Sequence, residues 1–229
     1  MTIYYSRGAC GRSPRWPAVL FALLALAGVG TLTAAFVLMP ARPPVPGPLQ
    51  APDGYEIDGL GRLLSRAEPV DVRIPAIGVD APVVATGIAA NGSIDVPPLF
   101  APQVAGWYRY GPSPGEAGSA ILVGHVDSKE SGPAVFYQLG RVRKGDTVEV
   151  GRHDGSTAVF TVDGVRLVAK DEFPAEEVHR SATSALLRLI TCGGRFDRKH
   201  GSYLDNVIVS ATLIDLTDAP LTGTSAAPR

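Results

Sequence analysis

The sequence predicts a mainly β domain of seven or eight short strands, closed or nearly closed into a barrel. Three observations predict it. From residue 70 onward, short apolar runs rich in Val, Ile and Thr alternate with clusters of Gly, Pro, Asn and Asp, the pattern of strands separated by turns. Gly 26 and Pro 20 are spread along the chain as punctuation rather than gathered into repeats. Helical periodicity is scarce, and many short strands with few helices build barrels or sandwiches. Strands are expected at residues 70–74, 81–85, 119–125, 147–150, 158–170, 185–192 and 207–213. Short helical pieces are expected near 97–103, 135–139 and 174–180, and an amphipathic helix near 60–67. Asn91-Gly92 is a strong turn signal.

Length and composition bound the rest. The 229 residues, 45% hydrophobic and 19% charged, suffice for one cored domain with appendages. A formal net charge of -1 offers no basic surface for nucleic acid. Residues 16–39 carry no charge, and at about 1.5 Å rise per residue they match a hydrocarbon core. Arg7, Arg12 and Arg15 precede them without an acidic residue, so residues 1–15 are expected in the cytoplasm and the domain outside the cell membrane, single-pass. A cleaved signal peptide competes, with Thr33-Ala34-Ala35 as the cleavage site. The apolar run continues past that site through Phe36, Val37, Leu38 and Met39, which favours an uncleaved anchor. Residues 40–69 contain Pro40, Pro43, Pro44, Pro46, Pro48 and Pro52 and read as an extended, semi-rigid linker. Residues 217–229 read as a disordered tail.

The chemistry centres on one thiol. Cys10 and Cys192 fall on opposite sides of the membrane in this topology, so they cannot pair, and an unpaired exported thiol is a candidate reactive group. Cys192 closes the apolar run 186–191 and precedes Gly193-Gly194. It reads either as a small core residue ending a strand or as a nucleophile held on a rigid one. Ser119-Ala-Ile-Leu-Val-Gly-His125 is a second apolar strand ending on a potential catalytic group, 67 residues earlier (192 minus 125). A thiol with an ordinary pKa of about 8.5 needs such a partner, and an imidazole can take its proton and pass one to a leaving amine. His153 and His179 read as surface residues, and His200 is the runner-up base.

Arg188, Ile190 and Cys192 are spaced by two, so on a strand they share a face. Ile190 is then a substrate-groove residue, and Arg188 faces the groove from roughly 13 Å along the strand. Arg195 is the alternative arginine, on a loop, and Arg198 reads as a surface charge. Asp127 supports His125 from behind or caps its loop. His125 and Asp127 lack a third ligand nearby, and no nucleotide motif occurs, so no metal or cofactor is expected.

Val123-Gly124-His125-Val126-Asp127-Ser128, Leu189-Ile190-Thr191-Cys192-Gly193-Gly194 and Phe196-Asp197 together resemble a sortase, closest to the actinobacterial class F group. The resemblance runs from Val72 to Val209 and implies a sortase-like β-barrel catalytic domain at residues 70–216. It implies a membrane-anchored cysteine transpeptidase with Cys192 as nucleophile and His125 as its partner. The implied substrates are secreted proteins with a C-terminal Leu-Pro-x-Thr-Gly-like sorting signal. The implied acceptor is an amine of a peptidoglycan precursor or a pilin lysine. The family's third residue is an arginine on the strand after the cysteine, and Leu204 occupies that register here. Arg188 is the expected substitute and Arg195 the alternative. Two other readings stay open: a secreted cysteine peptidase in which water resolves the thioester, and a non-enzymatic tethered β-domain for adhesion.

Overall fold

The computed structural model describes residues 42–47 and 63–217. In chain order its strands are β1 (Pro69–Ile74), β2 (Val79–Thr86), β3 (Ala105–Tyr108), β4 (Gly118–Val123), β5 (Asp127–Ser128), β6 (Gly132–Pro133), β7 (Thr147–Arg152), β8 (Thr157–Ala169), β9 (Ala185–Asp197) and β10 (Ser202–Thr217). One α-helical turn, α1 (Ala175–Val178), and three 3-10 turns complete the elements. Eight strands close a barrel in the order β1-β2-β3-β4-β9-β10-β8-β7, and β5 and β6 form a separate two-stranded ribbon. Two junctions are parallel, β2 with β3 and β4 with β9, and the others are antiparallel.

Hydrophobic patterning explains which strands sit where. All six residues of β4 are buried, as a continuous apolar run must be when both faces are covered. Its inward residues Ala120 and Leu122 join the barrel core with Trp107, Phe160, Leu187 and Leu189. Its outward residues Ile121 and Val123 join a second cluster with Val178, Ile190 and Ile208. Each such side chain taken from water contributes about 1.5–3 kcal/mol, so β4 and β9 are fastened on both faces.

The expected strands are present, with longer bounds for several. β3 was not among the expected strands, because four residues that include a glycine carry too short a pattern. The strand expected to end at His125 ends at Val123, and the one expected to break at Cys192 runs on to Asp197. Residues 97–103 hold isolated turns, Ala101 N to Pro98 O and Val104 N to Ala101 O, since Pro97, Pro98 and Pro102 withhold the donors a helix needs. Residues 135–139 are likewise turns leading into the 3-10 turn Leu139–Arg141. Residues 63–67 of the expected amphipathic helix carry no regular element, and its start lies outside the described residues.

Of the linker, Pro43 is buried, and Pro44 lies so close to Gly140 that a Cβ there would sit 2.1 Å from the Pro44 carbonyl oxygen. No helix among the described residues is long and apolar enough to cross a membrane. The anchor expected at residues 16–39 lies outside the described residues, as do the residues of the expected tail beyond 217.

Candidate active site

The parallel pairing of β4 with β9 builds the site. Its register runs from Gly118 opposite Ala185 to Val123 opposite Ile190. The same offset separates Gly124 from Thr191 and His125 from Cys192 in the sequence. Two hydrogen bonds carry the register past the strand end. Gly124 N donates to Ile190 O at 3.1 Å, and the buried Thr191 Oγ1 donates to Gly124 O at 2.7 Å. Gly124 has no room for a side chain: a Cβ would lie 2.6 Å from both Phe136 Cδ2 and Val135 Cγ1. Gly124 and Thr191, which precede His125 and Cys192, therefore clamp the two strand ends together.

His125 is held on three sides. Its carbonyl accepts from Phe136 N at 3.0 Å, the next residue's carbonyl accepts from Ala134 N at 3.0 Å, and its Nε2 contacts Pro97 O at 2.7 Å. A carbonyl oxygen only accepts, so Nε2 carries hydrogen and Nδ1 is the nitrogen left to exchange a proton. Cys192 is a free thiol, half-buried, opposite Asn206 of β10. Beyond it the β9–β10 ladder slips: Cys192 pairs with Asn206 and Gly193 with Asp205, but Phe196 pairs with Tyr203. Leu204 thus faces both Gly194 and Arg195, and Gly194 takes φ 73, the geometry of a bulge built on a left-handed glycine. A Cβ on Gly194 would come within 2.0 Å of Asp205 Oδ2, which accepts from Arg195 N at 3.3 Å.

The other residues named from the sequence separate clearly. Ile190 is 8% exposed in the outer cluster, against which Ile94 of the β2–β3 connection and Phe173 of the β8–β9 connection pack. Arg188 is fully buried, opposite Ile121 and Ser210; its NH1 donates to Leu187 O at 3.2 Å. Burial pushes the Asp163 carboxyl up, and the hydrogen bond from Thr212 and the charge of Arg188 pull it back. Arg195 is exposed. His200 sits at the β9–β10 tip with Nδ1 2.5 Å from Asp197 Oδ2, and this bond foremost holds the Asp197 carboxyl below its usual range. His153 lies in the β7–β8 turn, where its N–H donates to Glu68 O, and His179 meets the Tyr108 ring edge-on at 5.7 Å.

Asp127 accepts a hydrogen bond from Tyr203 Oη at 2.5 Å. Sequence reasoning passed over Tyr203, and also Pro97. Tyr203 adjoins Leu204, so the departure at that register was the signal that pointed to its neighbourhood; for Pro97 there was none.

The sortase domain family matches residues 72–214. No curated protein sequence matches this chain. Among solved structures, the fold is similar to sortase A of Listeria monocytogenes, with TM-score 0.51 and 18% identity over 68% of this chain and 93% of that one. It is also similar to sortase C1 of Streptococcus agalactiae in complex with MTSET, with TM-score 0.50 and 21% identity over 66% of this chain and 72% of that one. Sortase C-1 of Actinomyces oris gives TM-score 0.50 and 21% identity over 64% and 73%.

Proposed function

Because the chain belongs to the sortase family, whose members are cysteine transpeptidases, we propose that it cleaves a Leu-Pro-x-Thr-Gly-like sorting signal of a secreted protein and joins the new carboxyl end to an amine. One observation carries this reading. The β4–β9 register has the same offset as the pair His125 and Cys192, which supports an encounter between an imidazole and the only thiol among the described residues. The motifs around Gly124-His125 and Thr191-Cys192 support a place in the actinobacterial class F group.

In this mechanism the Cys192 sulfur attacks the threonine carbonyl carbon. The C–N bond to glycine breaks as His125 Nδ1 gives its proton to the leaving amine, and a thioester remains. The acceptor amine attacks that thioester, His125 takes the proton back, and Cys192 leaves as thiolate. General acid–base help of this kind is worth about 10²–10⁴-fold.

The oxyanion needs a donor that Leu204 cannot supply. Arg188, the substitute expected from the strand face, is fully buried with its charge acting on Asp163, whereas Arg195 is exposed next to the bulge. Exposure supports Arg195 as the donor and Arg188 as a support for the outer barrel face. Removing a donor of this type costs about 2.7–4 kcal/mol in transition-state stabilisation.

Arg7, Arg12 and Arg15 ahead of the uncharged residues 16–39 support a membrane anchor with the catalytic domain outside the cell. A reporter fused after Arg229 should be active outside the cytoplasm, and activity confined to the cytoplasm would overturn that topology.

The functional test is transfer. Incubated with a sorting-signal peptide and a small primary amine, the wild-type protein should release the Gly-containing fragment and yield the amide. The Cys192→Ala variant should do neither while keeping its far-UV circular dichroism. Full activity in that variant would exclude the thioester route, and hydrolysed product alone at high amine concentration would favour the peptidase reading.

A further inference from the structure

The hydrogen bond from Tyr203 to Asp127 spans 76 positions of sequence and joins the two halves of the site. Asp127 opens β5, two residues after His125, and Tyr203 lies in β10, facing the strand that carries Cys192. Nothing in the clamp between β4 and β9 requires this bond, because Gly124, Thr191 and the 134–136 segment already fix the backbone of His125. What it adds lies beyond the strand end. There the β9–β10 ladder slips at the bulge, and the family's arginine register holds Leu204.

Resting on the transpeptidase reading, we infer that Tyr203 is a positioning residue. Its hydroxyl fastens the Asp127 carboxylate, and with it the turn bearing His125, to the bulged end of the cysteine hairpin. The ring is itself anchored: Phe196 packs against it edge to face at 5.1 Å, on the residue pair that closes the bulge. The phenol is a donor that stays protonated. Burial first, then the bond to Asp127, push its pKa up, with smaller contributions from the neighbouring Tyr137 and Cys192.

Tyr203→Phe removes the hydroxyl and keeps the ring against Phe196, and Asp127→Ala removes the acceptor. The first readout needs no peptide: hydrogen exchange of the 125–128 backbone, which should be faster in both variants than in the wild type. The second is single-turnover acylation with a sorting-signal peptide. Each variant should slow it at least fivefold with KM within twofold, and the double variant should be no slower than the slower single one. Losses that multiply in the double variant, or a Tyr203→Phe variant with unchanged exchange and acylation, would overturn the inference. If the wild-type protein itself is not acylated, the functional reading fails instead, and the exchange rates still judge the brace.

Discussion

Strand β9 has two flanks that do different work. On the β4 side the pairing is parallel, unbroken and buried on both faces, and it ends in a clamp of Gly124 and Thr191. On the β10 side the ladder slips at Gly194, the strands continue into an exposed hairpin, and the tip is closed by Asp197 and His200. In the proposed mechanism Cys192 and His125 depend on the first flank, and the oxyanion donor and the brace on the second. Backbone register under a packed core tolerates little change, because a shifted strand would carry every side chain to the other face. A donor reaching in from an exposed, bulged segment has more than one place to come from. Leu204, which stands at the register where the resemblance leads one to expect an arginine, lies on that second flank.

The β4 flank should break first and hardest. Thr191→Val deprives the buried Gly124 carbonyl of this donor, at a cost of about 1–3 kcal/mol. Gly124→Ala drives a methyl group into Phe136 and Val135, overpacking that costs about 1–3 kcal/mol. Both variants should show lower urea midpoints and acylation at least tenfold slower. Normal acylation in either would mean that the clamp does not position His125.

On the β10 flank the arginines sharpen the contrast. Arg195→Ala should slow single-turnover acylation at least tenfold, about 1.4 kcal/mol in the barrier, with little change in melting temperature. Arg188→Ala should do the reverse, because it removes a buried charge beside Asp163. Should Arg188→Ala prove the crippled enzyme at unchanged stability, the donor acts along the strand face.

Smaller effects follow along the same hairpin. Gly194→Ala forces a left-handed residue with a side chain, at about 1–2 kcal/mol, and pushes Asp205 off the Arg195 amide; thermal melts should register it. His200→Ala should change acylation less than twofold. Its trace should appear in the pH dependence of stability. The Asp197 carboxyl is held low by His200, so the pair's contribution is present above the ordinary aspartate range and is lost as pH falls through the depressed value. The variant should therefore lose part of the wild-type stability difference between neutral and acid pH.

How much of this was legible in the sequence follows the same division. The apolar runs of β4, β8 and β9 announced strands, and the equal standing of Gly124-His125 and Thr191-Cys192 at run ends announced the site. Strand β3 was too short to read, and the 97–103 segment fell to its prolines. The two glycines after Cys192 read as a strand end, because a left-handed glycine marks a turn and a bulge alike. Spacing by two put Arg188 on the face of Cys192, which the register agrees with, but spacing carries no information on depth. Burial of that arginine and the reach of Tyr203 to Asp127 are tertiary facts.

The most direct test of the central claim, that strand register delivers His125 to a nucleophilic Cys192, is intact-protein mass spectrometry of the enzyme quenched in acid during turnover of a sorting-signal peptide. The wild-type protein should gain the mass of the peptide's N-terminal fragment, located on Cys192 and released by hydroxylamine. His125→Ala should acquire it at least a hundredfold more slowly, about 2.7 kcal/mol in the barrier. An adduct on another residue, or one that forms at the wild-type rate without His125, would contradict the account.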